Sequence, residues 1–312
     1  MFNIMNERRD EIAVVIPCYN EEATVGKVVR DFKSVLPMSK IYVFDNNSSD
    51  STSRVAGEAG ATVIREKKKG KGHVVQSMFQ KVDADYYVMV DGDDTYPAEN
   101  AKDLLELIRK DRADMAVGNR LHVYDAKAFR PFHFMGNSMV RWLVNKLFDA
   151  SLKDIMSGFR AISRDVVNGI SIQSKGFEVE TEMTLKCLNY GFVIEEVDIP
   201  YRKRPEGSFS KLSTLSDGYR VLRAIMIIMR DYRPFLFFTS LAAILFAVGL
   251  ASGMVVVMEY IDTRYISHVP LAILAVGCVL SGLLMLAIGL ILDSIKNRFH
   301  EMFAYMRGRI IK

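Results

Sequence analysis

The chain has 312 residues, half of them hydrophobic and a quarter charged, and its formal net charge is +4. This length suits one large α/β domain with a smaller unit. Three widely spaced cysteines, Cys18, Cys187 and Cys278, argue against a disulfide framework and indicate a reducing compartment. The five histidines stand singly, which argues against a zinc site. No nucleic-acid partner is expected.

Strand-like and helix-like runs alternate from Ile12 onward. Helical patterns run from Glu21 to Leu36, after Asp50, after Gly72 and from near Ala98. They separate four predicted strands: "IAVVIPCYN", "KIYVFDN", "ATVIRE" and "YYVMVDGD". Continuous apolar strands between helices predict an α/β fold with a mostly parallel sheet covered on both faces.

Polar side chains follow three of these strands. Ligands on such sheets bind at the carboxyl ends of the strands, so these side chains are expected at one binding edge. The chain has neither a dinucleotide glycine fingerprint nor a Gly-Lys-Ser/Thr phosphate loop, which removes the main support for nicotinamide or ATP binding. The strand-end residues are Asn20, Glu21, Asp45, Asn46, Asp91 and Asp93.

The stretch "VMVDGDDTYP" places Asp91, Asp93 and Asp94 within four positions. Like charges this close need either a cation or water around them. One interpretation is a solvated turn that caps the next helix. The other is a Mg²⁺ or Mn²⁺ site with oxygen ligands. The loop "REKKKGKG" is open to the same two interpretations, a solvated charge run or, at Lys71, a phosphate contact.

The chain becomes strongly apolar after Pro234. The run "PFLFFTSLAAILFAVGLASGMVVVM" has no ionisable group, and "ISHVPLAILAVGCVLSGLLMLAIGLIL" has only His268. Runs of about 20 such residues can span a bilayer, so a transmembrane hairpin is predicted. Its glycines would permit close helix approach in a dimer or tetramer. These glycines are Gly249, Gly253, Gly277, Gly282 and Gly289.

Cations set the expected orientation of the hairpin. Arg264 is alone in the connection "EYIDTRY", whereas four arginines precede the first span and five cations follow the second. The positive-inside rule therefore places both termini and the large domain on the cytoplasmic side of the inner membrane. The start, "MFNIMNERRD", lacks the apolar core of a signal peptide.

The segment "SDGYRVLRAIMIIMRDYRP" precedes the first span. Arg220, Arg223 and Arg230 share one stripe at helical spacing, opposite an apolar side. This pattern is typical of a helix in the membrane interface. An amphipathic helix packed on the domain is the alternative.

The motifs "IPCYNEE", "DNNSSDST", "GKG" and "DGDD", in this order, resemble glycosyltransferase family 2, whose fold is called GT-A. Further motifs resemble the branch that transfers a sugar to a polyprenyl phosphate, including dolichol-phosphate mannose synthases: "GNRL", "SGFRAISR", "GFEVETEM" and "RPEGSFSKLST". With this resemblance, the expected organisation is a Rossmann-like GT-A domain at 1–213, an amphipathic helix at 214–233, a transmembrane hairpin at 234–292 and a basic tail at 293–312.

The resemblance also implies site residues. Asp91 and Asp93 would hold Mg²⁺ or Mn²⁺ and act in catalysis with Asp94, Arg120 and Arg204. The acceptor phosphate would contact Arg120, Arg130, Asn137 and Ser157. The nucleotide sugar would contact Pro17, Tyr19, Glu21, Asp45, Asn46, Lys71, Gly72, Asp91, Glu182, Arg204, Ser210 and Lys211.

Three positions depart from the family pattern. Thr95 stands where related synthases often carry Gln, Asn46 where a second Asp is usual, and one extra residue follows Gly207. A third side-chain metal ligand and the nucleoside contacts are therefore open. Glu178 and Glu182 stand one helical turn apart, and their repulsion would be relieved by a cation or a sugar.

The resemblance implies inverting transfer of one sugar, from a UDP-hexose, a UDP-N-acetylhexosamine or GDP-mannose, to undecaprenyl or dolichyl phosphate. A phosphate monoester is largely dianionic at neutral pH, so no general base is required. Asp94 would serve as one for a hydroxyl acceptor. Two alternatives remain: a polysaccharide synthase, which two spans and the context of Trp142 disfavour, and a nucleotide-sugar-binding membrane scaffold without turnover.

Overall fold

The computed structural model describes residues 10–120, 131–176, 178–202 and 217–310. The chain is divided into two compact units, Met1–Leu215 and Ser216–Lys312. The predicted domain boundaries, at 213, 233 and 292, stay predictions at the level of individual residues.

The first unit is built on a seven-stranded sheet with the order β3-β2-β1-β4-β6-β5-β7. Every pairing is parallel except those of β6, which lies antiparallel between β4 and β5. The predicted mostly parallel α/β fold is confirmed. The strands are β1 Ile12–Cys18, β2 Lys40–Asp45, β3 Thr62–Arg65, β4 Tyr86–Met89, β5 Met115–Asn119, β6 Arg160–Ser163 and β7 Ile194–Asp198.

Each of the four predicted helices follows one of the strands β1 to β4, and three further helices occur later in this unit. Valines and Phe32 of the first helix pack with β1, β4 and the fourth helix in the main hydrophobic core. Every residue of β1 is buried, as expected for a central strand covered on both faces. The helices are α1 Val25–Val35, α2 Thr52–Glu58, α3 Lys71–Lys81, α4 Ala101–Arg109, α5 Pro131–Phe148, α6 Arg164–Gly169 and α7 Val179–Asn189.

Helix α1 begins at Val25, later than the predicted start at Glu21. The carbonyl of Glu21 accepts the amides of Thr24 and Val25 in a turn, while the Glu21 amide donates to Thr52 Oγ1 at 2.8 Å. These hydrogen bonds form a turn between β1 and α1. The sequence pattern predicted regular helix in this segment.

The second unit contains α8 Asp217–Tyr232, α9 Pro234–Thr263 and α10 Val269–Ile310. Helices α9 and α10 are long and apolar enough to cross a membrane. Their connection is fastened by Glu259, whose Oε2 lies 3.0 Å from His268 Nδ1. Helix α10 continues through the predicted basic tail as far as Ile310.

Three of the five glycines that were expected to permit close helix approach pack between the two helices of this hairpin. A Cβ atom at Gly249 would lie 3.0 Å from the carbonyl oxygen of Ala275, and one at Gly282 would lie 2.9 Å from Phe246. Gly289 faces Phe238 in the same way. These glycines therefore serve the contact between α9 and α10, and the predicted dimer or tetramer stays a prediction.

Candidate active site

The loop after β4 holds the acidic cluster. Lys71 Nζ lies 2.5 Å from Asp91 Oδ1 and 2.5 Å from Glu180 Oε1. Lys71 is the first residue of α3 and Glu180 lies in the first turn of α7, so a loop and two helix starts meet here. Burial alone would lower the pKa of the Lys71 ammonium group, but Asp91 and Glu180 raise it above its ordinary value. The lysine is therefore a charged bridge between two carboxylates.

Two glycines permit this close assembly. A Cβ atom on Gly72 would overlap the carbonyl oxygen of Ser174, which precedes α7. A Cβ atom on Gly158 would overlap Oδ2 of Asp91. Any side chain at these positions would push α3 from its neighbour or displace the Asp91 carboxylate, so glycine is required by space.

Asp93 is positioned by its own loop. Its side chain is buried, and Oδ1 accepts a hydrogen bond from Thr95 Oγ1 at 2.6 Å. Thr24 Oγ1 donates to the carbonyl oxygen of Gly92 at 2.6 Å, which ties the loop to the segment before α1. Thr95, which replaces the glutamine common in related synthases, therefore orients Asp93.

Asp94 faces a different set of cations. Its Oδ1 lies 2.7 Å from Lys27 Nζ and 3.8 Å from a guanidinium nitrogen of Arg202. The Arg202 amide also donates to the Thr95 carbonyl at 2.9 Å. Asp94 thus fastens the acidic loop to α1 and to the segment after β7. Its suggested role as a general base stays a prediction.

Asn46 holds the basic loop in a way that an aspartate could not. Its Nδ2 donates to the carbonyl of Lys68 at 2.7 Å, and its Oδ1 accepts the amide of Gly70 at 2.7 Å. A carboxylate could accept the second bond but could not donate the first. The departure from the family pattern at this position therefore has a structural use beside the predicted nucleoside contact.

The other predicted nucleoside contacts lie at the same carboxyl edge of the sheet. Asp45 is buried, and its two carboxylate oxygens accept hydrogen bonds from the amide of Ser48 in the following loop at 2.9 Å and from the hydroxyl of Ser53 in α2 at 2.7 Å. Pro17 is buried in β1, whereas Tyr19 is 38% exposed. Glu21 contacts the buried thiol of Cys18, whose pKa is raised by burial and by this carboxylate.

Arg120 follows β5 and is held firmly. Its Nε donates to Asp154 Oδ2 at 2.8 Å, and its terminal nitrogens donate to the Tyr96 hydroxyl and the Met156 carbonyl at 3.4 and 3.2 Å. Burial raises the pKa of Tyr96 to about 12, so its hydroxyl stays protonated at neutral pH. Ser157, also predicted near the acceptor, is fully buried beside this group.

The two glutamates of "GFEVETEM" stand one helical turn apart, as predicted, but have different surroundings. Glu178 is exposed, whereas Glu182 accepts the backbone amides of Gln173 and Ser174 and lies 2.8 Å from Lys186 Nζ. Burial alone would raise the pKa of Glu182, but these hydrogen bonds lower it below its ordinary value. The glutamate that reaches Lys71 is Glu180, which the sequence interpretation missed.

A fully buried arginine was also missed. Arg160 donates from Nε to the Ser157 carbonyl at 2.8 Å and from its terminal nitrogens to Thr184 Oγ1 and the Ile155 carbonyl at 2.9 Å. Burial lowers its pKa below the ordinary value. The side chain ties β6 and the segment before it to α7. The available signal was an arginine inside the apolar run "GFRAI".

Four predicted residues lie outside the described part of the chain: Arg130, Arg204, Ser210 and Lys211. Asn137 is within α5, but its side chain is likewise outside the description. The roles of these residues stay predictions.

A divalent ion suits the donor chemistry of the acidic loop. Asp91 and Asp93 offer the carboxylate oxygens that Mg²⁺ and Mn²⁺ prefer, and Asp91 already binds a cationic group. Mg²⁺ commonly takes one or two carboxylates together with substrate phosphates. Among the described residues no group of three His, Cys, Asp or Glu side chains is arranged to hold a metal ion.

Comparison with known proteins adds sequence relatives. Residues 13–170 match the family model described as glycosyl transferase family 2. Glycosyltransferase AglJ of Haloferax volcanii is 29% identical over 293 residues, which cover 94% of this chain and 96% of that protein. Dolichyl-phosphate hexose transferase of the same organism is 30% identical over 224 residues, which cover 72% and 96%.

A solved structure shows the same fold. Glucosyl-3-phosphoglycerate synthase from Mycobacterium tuberculosis, in complex with Mn²⁺, uridine diphosphate and glucosyl-3-phosphoglycerate, aligns with a TM-score of 0.57 at 18% identity. The alignment covers 72% of this chain and 80% of that one. At this identity the likeness concerns the fold alone.

Proposed function

Since the chain belongs to glycosyltransferase family 2, we propose that it transfers a single sugar from a nucleotide sugar to a polyprenyl phosphate at the cytoplasmic face of the membrane. The observation that carries this proposal is the charged group at the carboxyl edge of the sheet, where Asp91, Lys71 and Glu180 meet. The name of the dolichyl-phosphate relative supports the acceptor class.

The charge of this group suits a nucleotide diphosphate that arrives with a divalent cation. Lys71 neutralises only one of its two carboxylate partners, and Asp93 adds a further carboxylate on the same loop. Asp91 and Asp93 would hold Mg²⁺ or Mn²⁺, which supplies Lewis-acid stabilisation of the leaving diphosphate when bound. Lys71 would donate to the same diphosphate, and Glu180 keeps its ammonium group in place.

The nucleoside would lie along β1 and β2, beside Tyr19 and Asp45, on the side of the loop that Asn46 anchors. A UDP-hexose or a UDP-N-acetylhexosamine is the preferred donor, with GDP-mannose as the other choice, as the resemblance to the polyprenyl-phosphate branch implies.

For the acceptor, a cation that binds the phosphate is more important than a general base that would deprotonate it. The polyprenyl phosphate is itself largely dianionic at neutral pH and can attack the anomeric carbon directly, with inversion. Arg120 is fixed in direction by Asp154 and stays protonated, so it would orient the acceptor phosphate. Arg130 and Ser157 would assist it.

Helices α9 and α10 would anchor the enzyme, with both termini in the cytoplasm and α8 in the membrane interface. This location fits a substrate whose phosphate lies at the membrane surface while its polyprenyl tail lies in the bilayer. A dimer or tetramer through the apolar helices belongs to the proposal as well.

The deciding experiment uses the purified full-length chain in detergent with undecaprenyl phosphate, Mg²⁺ and a panel of nucleotide sugars. Mass spectrometry of the lipid product should show one added sugar. A polymer would identify a polysaccharide synthase instead. EDTA should stop the reaction, and added Mg²⁺ or Mn²⁺ should restore it. If no donor yields a product while a nucleotide sugar still binds, the chain is a scaffold without turnover.

A further inference from the structure

A cleft opens at one end of the helical hairpin, in the second compact unit. Its volume is about 300 Å³, and its walls are Arg230, Asp231, Pro234, Leu292 and Lys296. Helix α9 begins at Pro234, and the uncharged stretch of α10 ends at Leu292. The cleft therefore lies where both apolar helices change to polar sequence, with an apolar wall and a charged wall side by side.

The charged wall is dominated by cations. Lys296 is half-buried, donates to the carbonyl oxygen of Tyr232 at 2.7 Å, and forms no ion pair with a carboxylate among the described residues. Arg230 is paired with its neighbour Asp231 at 2.6 Å.

This arrangement leaves a charge to be compensated. Two cations, Arg230 and Lys296, and one carboxylate, Asp231, line the cleft, so its walls carry a net charge of +1. A phosphodiester carries one negative charge and accepts hydrogen bonds from lysine and arginine. A phosphate monoester carries about 1.5 to 2 negative charges at neutral pH and fits this balance less well.

We propose that this cleft binds the phosphodiester headgroup of an anionic membrane phospholipid, with Lys296 as the central contact. Pro234 and Leu292 would face the first carbons of the acyl chains. None of Asp91, Lys71 and Glu180 lines the cleft, and the proposal assigns the bound lipid to the membrane anchor as a ligand distinct from the sugar acceptor. The inference depends on the membrane placement of α9 and α10 given above.

The test is native mass spectrometry of the full-length protein in neutral detergent, with added phosphatidylglycerol as the anionic probe and phosphatidylcholine as the zwitterionic probe. We expect the wild type to retain phosphatidylglycerol in preference to phosphatidylcholine. Lys296→Met should reduce the retained fraction roughly fivefold, the effect of one interfacial cation. Lys296→Arg should preserve it.

Arg298→Gln is the matched control. Arg298 lies on the same helix, is 80% exposed and pairs with Glu301 at 2.9 Å, and its replacement removes the same charge. Equal loss in Lys296→Met and Arg298→Gln would indicate general surface attraction and overturn the site. Unchanged retention in Lys296→Met would overturn it too.

Two further measurements are needed. One distinguishes a phospholipid from other phosphate ligands, and the other distinguishes failure of the lipid site from failure of the proposed sugar transfer. Preferential retention of undecaprenyl phosphate, or displacement of the lipid by equimolar inorganic phosphate, would overturn the assignment to a phospholipid. Asp91→Ala should abolish sugar transfer and leave phosphatidylglycerol retention intact. A wild type that retains the lipid but transfers no sugar would refute the proposed function and support this site.

Discussion

At the scale of single residues, Lys71 sets the electrostatics of the candidate site. Its side chain is 11% exposed, and its ammonium group lies between Asp91 and Glu180, so it neutralises one carboxylate while the group as a whole remains anionic. An anionic group at a sheet edge attracts a divalent cation before any phosphate arrives. Removing Asp91 leaves Lys71 still paired with Glu180, which makes this substitution a test of chemistry more than of folding.

Asp91→Asn should therefore lower the initial rate of lipid glycosylation by about 100-fold or more, because preorganised charge at the leaving group is lost. The rate is measured from the amount of radiolabelled lipid product, or of product detected by mass spectrometry, over time. Asp83→Asn is the control, since the Asp83 side chain is 88% exposed. An Asp91→Asn enzyme as fast as the Asp83→Asn enzyme would contradict the assignment.

Glu182 gives a second prediction at this scale. Its pKa is lowered in the folded protein, so its carboxylate adds stability above the ordinary pKa of 4.5, and this stability is lost as the pH falls through the lower folded value. Glu182→Gln should lower the Tm at pH 7 by about 2–4 °C, as expected for the loss of about 1 kcal/mol. The difference from the wild type should shrink in acid.

Thermal scans by circular dichroism at pH 7 and in acid measure this difference. Glu178→Gln on the same segment is the control. Because Glu178 is exposed, this substitution should leave the Tm unchanged. A Tm of Glu182→Gln equal to that of the wild type at pH 7 would show that the bonds to Gln173 and Ser174 contribute nothing to stability.

At the scale of elements, the start of α3 is fixed by its contact with the segment before α7. Gly72 lies against the backbone of Ser174, and Glu182 holds that backbone from the other side through two amides. The position of Lys71 thus depends on two helices that are distant in sequence. A side chain at Gly72 would act on the site through this contact without removing any charged group.

Gly72→Ala should destabilise the protein by about 1–3 kcal/mol through overpacking. It should also raise the KM for the nucleotide sugar, since Lys71 would move with the helix. Gly57→Ala is the matched control: Gly57 lies in α2, a Cβ atom there would be 3.9 Å from Val63 of β3, and alanine favours helix. Steady-state kinetics measure the KM, and thermal scans measure the Tm. A Gly72→Ala enzyme with wild-type KM and Tm would contradict this account.

At the scale of the whole molecule, an α/β unit is followed by a helical unit whose two long helices are apolar. Most large exposed hydrophobic side chains belong to these helices, including Leu250, Ile273 and Leu284. Water would not tolerate such a surface, whereas lipid would. The cation distribution then predicts which end of the hairpin faces the cytoplasm.

A cysteine at Asp262, an exposed position near the end of α9, should react with a membrane-impermeant maleimide in intact bacterial spheroplasts. A cysteine at Lys102, exposed on α4, should react only after lysis. A gel shift of the labelled protein detects the reaction at each position. The native thiols of Cys18 and Cys187 are buried, so their background is low. Labelling of Lys102→Cys before lysis would reverse the proposed orientation.

Local pattern was enough to predict the parallel strands β1 to β4, the acidic loop after β4 and two membrane-length helices, because each depends on hydrophobic periodicity within a short window. Tertiary contacts decided the antiparallel insertion of β6, the buried Arg160 and the choice of Glu180 over Glu182. Neighbouring side chains on a helix differ in direction by about 100° per residue, so Glu180 and Glu182 point to different surroundings. Which of the two meets Lys71 depends on how α3 and α7 pack, and no single window of sequence contains both helices.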